Sequence, residues 1–428
     1  MPPRNSGTTA ARRAAIHILE SCARGRIFEQ ALDEAAGDLD DRDRRLTHEL
    51  AAGVLRRQTA LDAALAPLVS RDWNSVPQRL RAVLRLGAYQ LTELDRVPAH
   101  AAVATSVALA REISGDRAAG FVNAVLRRLA AKPPATEPTT GGSHPQWLLD
   151  RWISRFGLEE TRALEAWNDQ RPRIAVQAAR ESLEKLAVSW RHQGVEAEWA
   201  PFGAGMYVDA RRPDQLDGFD RGAFLVQDPA QSMVTRFAAF PAGSLVYDAC
   251  AAPGGKTLAL AREGATVLAG DRSRLRVHRV RQNAARAGTG REHPLVADAL
   301  HPPFRSLDAV LLDAPCLGTG TLARHPDARW RVTPEALDML VRQQAQMLDR
   351  IAFLVKPGGM LVYATCSLEP EENECQVEGF LSSHPEFHRE ANPATPAELL
   401  SPRGDLAVLP QRHRMDGAYA ARLRRSAG

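Results

Sequence analysis

The stretch LVYDACAAPGGKT (245–257) constrains this chain more than any other part of it. An apolar run, a turn of small residues and glycines, and the start of a helix follow one another in that order. Such a turn lets the backbone approach a ligand closely, and the helix start behind it favours an anionic group such as a cofactor carboxylate. A Walker A loop would need glycine five residues before Gly255, where Cys250 stands, so a nucleotide-triphosphatase reading fails. The competing reading is a tight turn that serves the fold alone.

From residue 226 onward, strand-like apolar runs alternate with helical stretches: SLVYDAC, TLALARE, TVLAGD, VHRVRQNAARAG, HPLVADA, AVLLDAP, a long helix around 334 to 354, and MLVYATCS. That alternation predicts a parallel sheet with helices on both faces. Asp271 ends the second run 23 residues beyond Asp248, close to the spacing at which an acidic side chain reaches ribose hydroxyls. Asp298 and Asp313 end the next two runs. One aspartate after a strand is more often a helix cap, but three in register at the carboxyl edge of one sheet favour a nucleoside cofactor.

The five cysteines, Cys22, Cys250, Cys316, Cys366 and Cys375, include no C-x-x-C pair, which argues against a disulfide framework and against a structural zinc site. DAPCLGTG and YATCS each put a cysteine just past the end of a core strand, on the ligand-binding edge. A lone buried cysteine is usually an inert small hydrophobe. Two of them beside a nucleoside-cofactor site are harder to dismiss, and they fit methyl transfer to a pyrimidine. Carbon 5 of cytosine is a poor nucleophile until a thiolate adds at carbon 6, and a second thiol can then assist the steps that release the product. Asp313, three residues before Cys316, is placed to stabilise the adduct at ring nitrogen 3, and a base stacked in RNA would have to be extruded to reach these groups.

Upstream, residues 8 to 131 repeat apolar residues at three and four, which reads as an all-helical bundle. Arg56, Arg57, Arg127 and Arg128 are expected near helix ends, where they would meet either phosphates or the helix dipole. KPPATEPTTGGSHP (132–145) reads as a linker, and residues 146–225 as a small α+β module. No apolar run approaches the roughly 20 residues of a membrane span. The first residues show no secretory signal, so a cytoplasmic protein is expected. A net charge of +4 supports a nucleic-acid partner only weakly. Only four of the 55 basic residues are lysines, and Lys256 in GGKT is one of them.

These residues resemble the RsmB (Sun, Fmu) family of 16S ribosomal RNA cytosine-5 methyltransferases along nearly the whole chain. ELAAGVLRR, LRLGAYQL, VPAHAAVATSVALA and FVNAVLRR look like a NusB-type RNA-binding domain. VQDPAQSMV, DACAAPGGKT, LLDAPCLGTGTLARHPDARW, KPGGMLVYATCSLEPEENE and DGAYAARLRR look like the catalytic part. The resemblance implies an all-α NusB-like bundle (1–131), a linker (132–145), a small α+β RNA-binding module (146–225) and an α/β Rossmann-like class I methyltransferase domain (226–428). It implies S-adenosylmethionine as cofactor, held by Cys250, Ala251, Ala252, Pro253, Gly254, Gly255, Lys256, Asp271, Asp298 and Asp313. The TC cysteine that forms the covalent adduct carries over to Cys366, and the PC cysteine that promotes product release to Cys316. The implied partner is small-subunit ribosomal RNA, bound by a monomer that needs neither metal nor membrane.

Leu317, Ala323 and Arg324 depart from the family's CSGTG and its following pair of basic residues, and Ala418-Tyr419 stands where aromatic pairs are common. These changes bear on substrate selection more than on chemistry. DNA cytosine-5 methyltransferases place the nucleophile in the PC motif and use a Glu-Asn-Val element that this chain lacks. A transfer RNA substrate and a non-catalytic RNA-binding or antitermination role remain the alternatives; the intact cysteines and glycine turn favour the enzyme.

Overall fold

Apolar spacing of three and four upstream of residue 131 produces α1 (Ala10–Ala23), α2 (Phe28–Ala36), α3 (Asp41–Leu65), α4 (Gln78–Thr92) and α5 (Ala99–Ala131). The Asp40 carboxylate accepts the Asp43 N–H at 2.8 Å and so caps α3. Ile18, Leu50, Val54, Leu84, Val122 and Leu126 are fully buried in the common core of these helices. The computed structural model describes residues 10–70, 72–131, 144–210 and 212–427. The tract read as a linker therefore lies outside the described residues, apart from its last two. Arg56 and Arg57 stand inside α3 rather than at its end. Arg57 pairs with Glu93 at 3.4 Å and Asp169 at 3.7 Å, while Arg128 donates to the Leu68 carbonyl at 3.2 Å.

The chain divides into two compact units, Met1–Gln170 with Leu322–Val332, and Arg171–Thr321 with Thr333–Gly428. In the first, α6 (Gln146–Phe156) and α7 (Leu158–Asp169) follow the five helices, although the sequence pattern had joined residues 146–225 in one module. The eleven residues 322–332 are built into this helical unit. Fully buried Arg329 pairs with Asp169 at 2.8 Å and donates to the Asn168 carbonyl at 2.8 Å and the Arg56 carbonyl at 3.2 Å. Trp330 donates its indole N–H to the Leu55 carbonyl at 2.9 Å. A guanidinium removed from water needs such partners, because an unpaired buried charge is costly.

The second unit opens with β1 (Ile174–Ala178), α8 (Leu183–His192), β2 (Ala197–Trp199), β3 (Met206–Val208) and β4 (Phe224–Val226). The four strands form an antiparallel sheet in the order β2-β3-β1-β4, packed over Trp190, Val176 and Phe224. Next come α9 (Pro229–Ala238), β5 (Leu245–Ala249), α10 (Gly255–Arg262), β6 (Thr266–Asp271), α11 (Arg274–Ala287), β7 (Glu292–Val296) and β8 (Leu307–Asp313). The rest are α12 (Pro334–Ala352), β9 (Val355–Thr365), α13 (Glu374–Ser383), β10 (Phe387–Arg389), β11 (Leu406–Val408), α14 (Pro410–His413) and β12 (Ala418–Arg425).

These strands form one sheet in the order β10-β12-β9-β8-β5-β6-β7, with β11 paired to β12. Strands β5 to β9 are parallel, as the alternation predicts. The sheet is nonetheless mixed, because β12 runs antiparallel to its neighbours β9, β10 and β11. Successive residues of β5, β8 and β9 go to opposite faces: Val246, Leu311 and Val362 pack toward α9 and α10, while Tyr247, Leu312 and Tyr363 pack with α12 and α13. The chain leaves β5 for β6 and β7, then returns to place β8 on the other side of β5. That reversal opens a crevice at the carboxyl ends of β5 and β8, where open α/β sheets bind ligands.

Candidate active site

At the end of β5, Cys250 takes a left-handed φ of 65° and Gly254 a φ of 105°, which folds the turn back before α10 begins. Neighbours hold the turn by its backbone. Ala251 N–H donates to the Gly270 carbonyl at 2.9 Å, Arg276 bonds the Ala252 carbonyl at 3.1 Å, and Asn283 bonds the Pro253 carbonyl at 3.0 Å. Inside it, fully buried Asp248 accepts the Thr257 hydroxyl at 2.5 Å on one oxygen, and its other oxygen has no hydrogen-bond partner. Burial pushes the Asp248 carboxyl up to about 7. Burial also pushes the Cys250 thiol up to about 12, the behaviour of an inert sulfur rather than a nucleophile.

Lys256 points from the first turn of α10 to the end of β8, where its ammonium bonds Asp313 at 2.8 Å and also the Gln231 side-chain oxygen. Burial alone would lower Lys256; the Asp313 carboxylate outweighs it and holds the amine above its ordinary value. Three residues beyond Asp313 stands Cys316, and just past the end of the adjacent strand β9 stands Cys366. Their sulfurs are 3.4 Å apart, although 50 residues separate them in sequence. The hydrogen bond to Cys366, then burial, raise the Cys316 thiol well above its usual value. Cys366 lies within electrostatic reach of Lys256.

The two cysteine loops are locked backbone to backbone. Gly320 N–H donates to the Cys366 carbonyl at 2.9 Å, Gly417 N–H donates to the Gly320 carbonyl at 2.7 Å, and Leu368 N–H donates to the Thr319 hydroxyl at 2.8 Å. A Cβ on Gly320 would lie 2.6 Å from Gly417 Cα, so only glycine permits this approach. Farther along the carboxyl edge, Asp271 at the end of β6 is only 3% exposed. One of its oxygens accepts the Ser273 N–H at 2.9 Å; the other accepts no hydrogen bond and lies 3.4 Å from Arg276 Nε. Asp298, two residues past β7, accepts the Leu300 N–H at 3.0 Å. Lys256, Asp313, Cys316 and Cys366 thus meet at one point, while Asp271 and Asp298 stand at the ends of the neighbouring strands. Cys22 is buried in α1, and Cys375 is exposed on α13.

Glu372 and Gln344, both fully buried behind Cys316, went unremarked in the sequence. The signal available was the polar run EPEENE, placed between a core strand and a helix where apolar residues would otherwise be expected.

Residues 239–424 match the family described as 16S rRNA methyltransferase RsmB/F, and residues 9–131 match the NusB family. A Synechocystis protein named "Probable ribosomal RNA small subunit methyltransferase B" is 34% identical, over 97% of this chain and all of that protein. The chain belongs to the RsmB/F methyltransferase family. A second member, ribosomal RNA small subunit methyltransferase B of Vibrio cholerae, is 32% identical over 93% of each chain. The crystal structure of PH0851 superposes with a TM-score of 0.79 at 25% identity, covering 97% of this chain and 98% of that one. NSun6 from Pyrococcus horikoshii with SFG shares the fold over 66% of this chain and 98% of its own, with a TM-score of 0.59 at 19% identity.

The family's methyl donor is S-adenosylmethionine, and the crevice fits it. Buried Asp271 has one carboxylate oxygen that accepts no hydrogen bond. The 250–255 turn brings bare backbone to the start of α10, and a Cβ on Gly255 would crowd Gln227 at 2.9 Å.

Proposed function

We propose that this protein methylates carbon 5 of a cytosine in 16S ribosomal RNA, with Cys366 as the nucleophile and Cys316 as the group that assists release. The observation that carries this reading is the 3.4 Å approach of the two sulfurs beside the Lys256–Asp313 ion pair at the switch point of the sheet. S-adenosylmethionine, when bound, supplies an electrophilic methyl group. Residues 250–256 with Asp271, Asp298 and Asp313 hold it.

Cys366 supplies what the pyrimidine lacks. Its thiolate forms a bond to carbon 6, which moves electron density to carbon 5 and makes that carbon able to attack. Ring nitrogen 3 takes a proton from water as the adduct forms, and Asp313, fixed by Lys256, accepts the resulting N–H and so stabilises the adduct. After methylation the carbon 5 proton is lost to water, and the bond from sulfur to carbon 6 breaks with its electron pair returning to Cys366. Cys316 hydrogen-bonds the departing sulfur and favours that step.

The names of the relatives and the NusB match over residues 9–131 support ribosomal over transfer RNA, and the complete constellation of Lys256, Asp313, Cys316 and Cys366 supports an enzyme over a passive RNA-binding factor. The enzyme works as a cytoplasmic monomer without a metal ion. Bisulfite sequencing of 16S RNA from a deletion strain tests the reading. One cytosine should lose its protection and regain it on complementation with the wild-type chain but not with Cys366→Ala; protection restored by Cys366→Ala contradicts the proposal.

A further inference from the structure

The two peptide groups that flank Cys316 are each held by a fully buried side chain from a distant part of the sequence. Gln344, on α12, donates from Nε2 to the Pro315 carbonyl at 2.8 Å and to Glu372 Oε1 at 2.9 Å. Glu372, between β9 and α13, accepts the Leu317 N–H at 3.0 and 3.2 Å on its two oxygens. Burial raises the Glu372 carboxyl from its ordinary value, with Glu369 adding to that, and three donors counter it: the Ser367 hydroxyl, the Gln344 amide and the Leu317 N–H. Those three donors favour the ionised form, which can only accept. Cys316 therefore sits against a carboxylate held in place by its donors, while its partner Cys366 sits within reach of the Lys256 cation.

Taking the two-cysteine reading of the site as given, we propose that Glu372, oriented by Gln344, is a positioning residue that fixes the Cys316 turn and keeps the proton of the thiol pair on Cys316 Sγ. Cys366 is then the sulfur that surrenders its proton to water and carries the charge, balanced by Lys256. The thiol of Cys316 hydrogen-bonds that thiolate across the 3.4 Å between them. The titratable groups facing Cys316 are Cys366 past β9, Glu372 from the following loop and the Tyr363 phenol on β9, with Glu369 behind Glu372. The Lys256 cation stands on the Cys366 side of the pair, so burial and the Glu372 charge act in one direction on Cys316, against the hydrogen bond it receives from the Cys366 backbone. Two chemically identical side chains at van der Waals distance are thereby given different protonation states, which fixes the order in which they act.

The test is the pH dependence of alkylation by iodoacetamide, followed at each cysteine by peptide mass spectrometry on the full chain without RNA or methyl donor. In the wild type, the initial rate at Cys366 should reach half its maximum at a lower pH than the rate at Cys316. Glu372→Gln keeps an oxygen for Leu317 and removes the charge. It should lower the Cys316 midpoint by about one pH unit, which is roughly tenfold faster alkylation at a fixed pH below the midpoint. A Cys316 midpoint that stays put in Glu372→Gln overturns the proposal. Should that variant fail to fold, the wild-type comparison still decides, since Cys316 titrating at or below Cys366 also overturns it. Because the measurement needs no RNA, its outcome is independent of which base is methylated or whether Cys366 forms an adduct.

Discussion

Replacing Gly320 by alanine probes the lock between the cysteine loops without touching either sulfur. The added Cβ would stand 2.6 Å from Gly417 Cα, 2.8 Å from the Cys366 carbonyl oxygen and 3.0 Å from Gly417 C. Carbon contacts are comfortable at about 3.5 to 4 Å, so something must yield by roughly 1 Å, and each obstructing atom is backbone. Overpacking of this kind costs about 1 to 3 kcal/mol, or a fall of roughly 2 to 10 °C in melting temperature for a unit of this size. The larger effect is on chemistry. The loop that gives way carries Cys316, and Gly320 N–H and Cys366 O lose the 2.9 Å bond that sets the two sulfurs 3.4 Å apart. A displacement near 1 Å in a reacting group lowers rates by roughly a hundredfold. Single-turnover methylation of 16S RNA, with circular dichroism melts on the same preparation, reads both effects. A Gly320→Ala protein that keeps its rate within about twofold and its melting temperature within about 1 °C would refute the claim that this glycine contact aligns the cysteines.

Asp271→Ala should weaken S-adenosylmethionine binding by roughly 10- to 100-fold in titration calorimetry, the worth of a hydrogen bond to a charged group, and unchanged affinity would remove Asp271 from the donor site. The raised Asp248 carboxyl, about 7 in the fold, favours the folded state at low pH and loses that contribution as pH rises toward 7. Asp248→Asn should therefore gain stability relative to wild type between pH 5 and pH 8, as melts at the two pH values would show; a constant difference contradicts the raised value. In the helical unit, Arg329→Met removes the nearer of two cations on partly exposed Asp169 and the buried donor to three carbonyls, and should cost about 3 kcal/mol in denaturant unfolding, whereas an unchanged midpoint would mean the buried guanidinium adds nothing.

What the sequence disclosed was local or set at strand ends. The turn 250–255 and the parallel run from β5 to β9 follow from apolar runs broken by glycine and aspartate. Cys316 and Cys366 could be paired across 50 residues only because each stands within three residues of the end of a core strand, and adjacent parallel strands end on one edge. Strand β12 escaped notice as an antiparallel member because AYAARLRR does not reveal its partner; the pairing of Tyr419 with Thr365 is a tertiary fact. The place of residues 322–332 was hidden for a similar reason. HPDARW reads as a polar loop of the catalytic domain, and apart from the nearby Leu322 carbonyl the partners of Arg329 are two carbonyls and a carboxylate at least 160 residues upstream. Glu372 looked like one acid in an acidic run until its donors, Leu317 N–H and Gln344, came from two other segments.

The most direct test of the central claim is the intact mass of protein recovered after incubation with 16S RNA and S-adenosylmethionine, digested with ribonuclease under denaturing conditions. Cys316→Ala should accumulate a nucleotide adduct that maps to Cys366, and Cys366→Ala should carry none. An adduct in Cys366→Ala, or one mapped to Cys316, would contradict the assignment of the nucleophile.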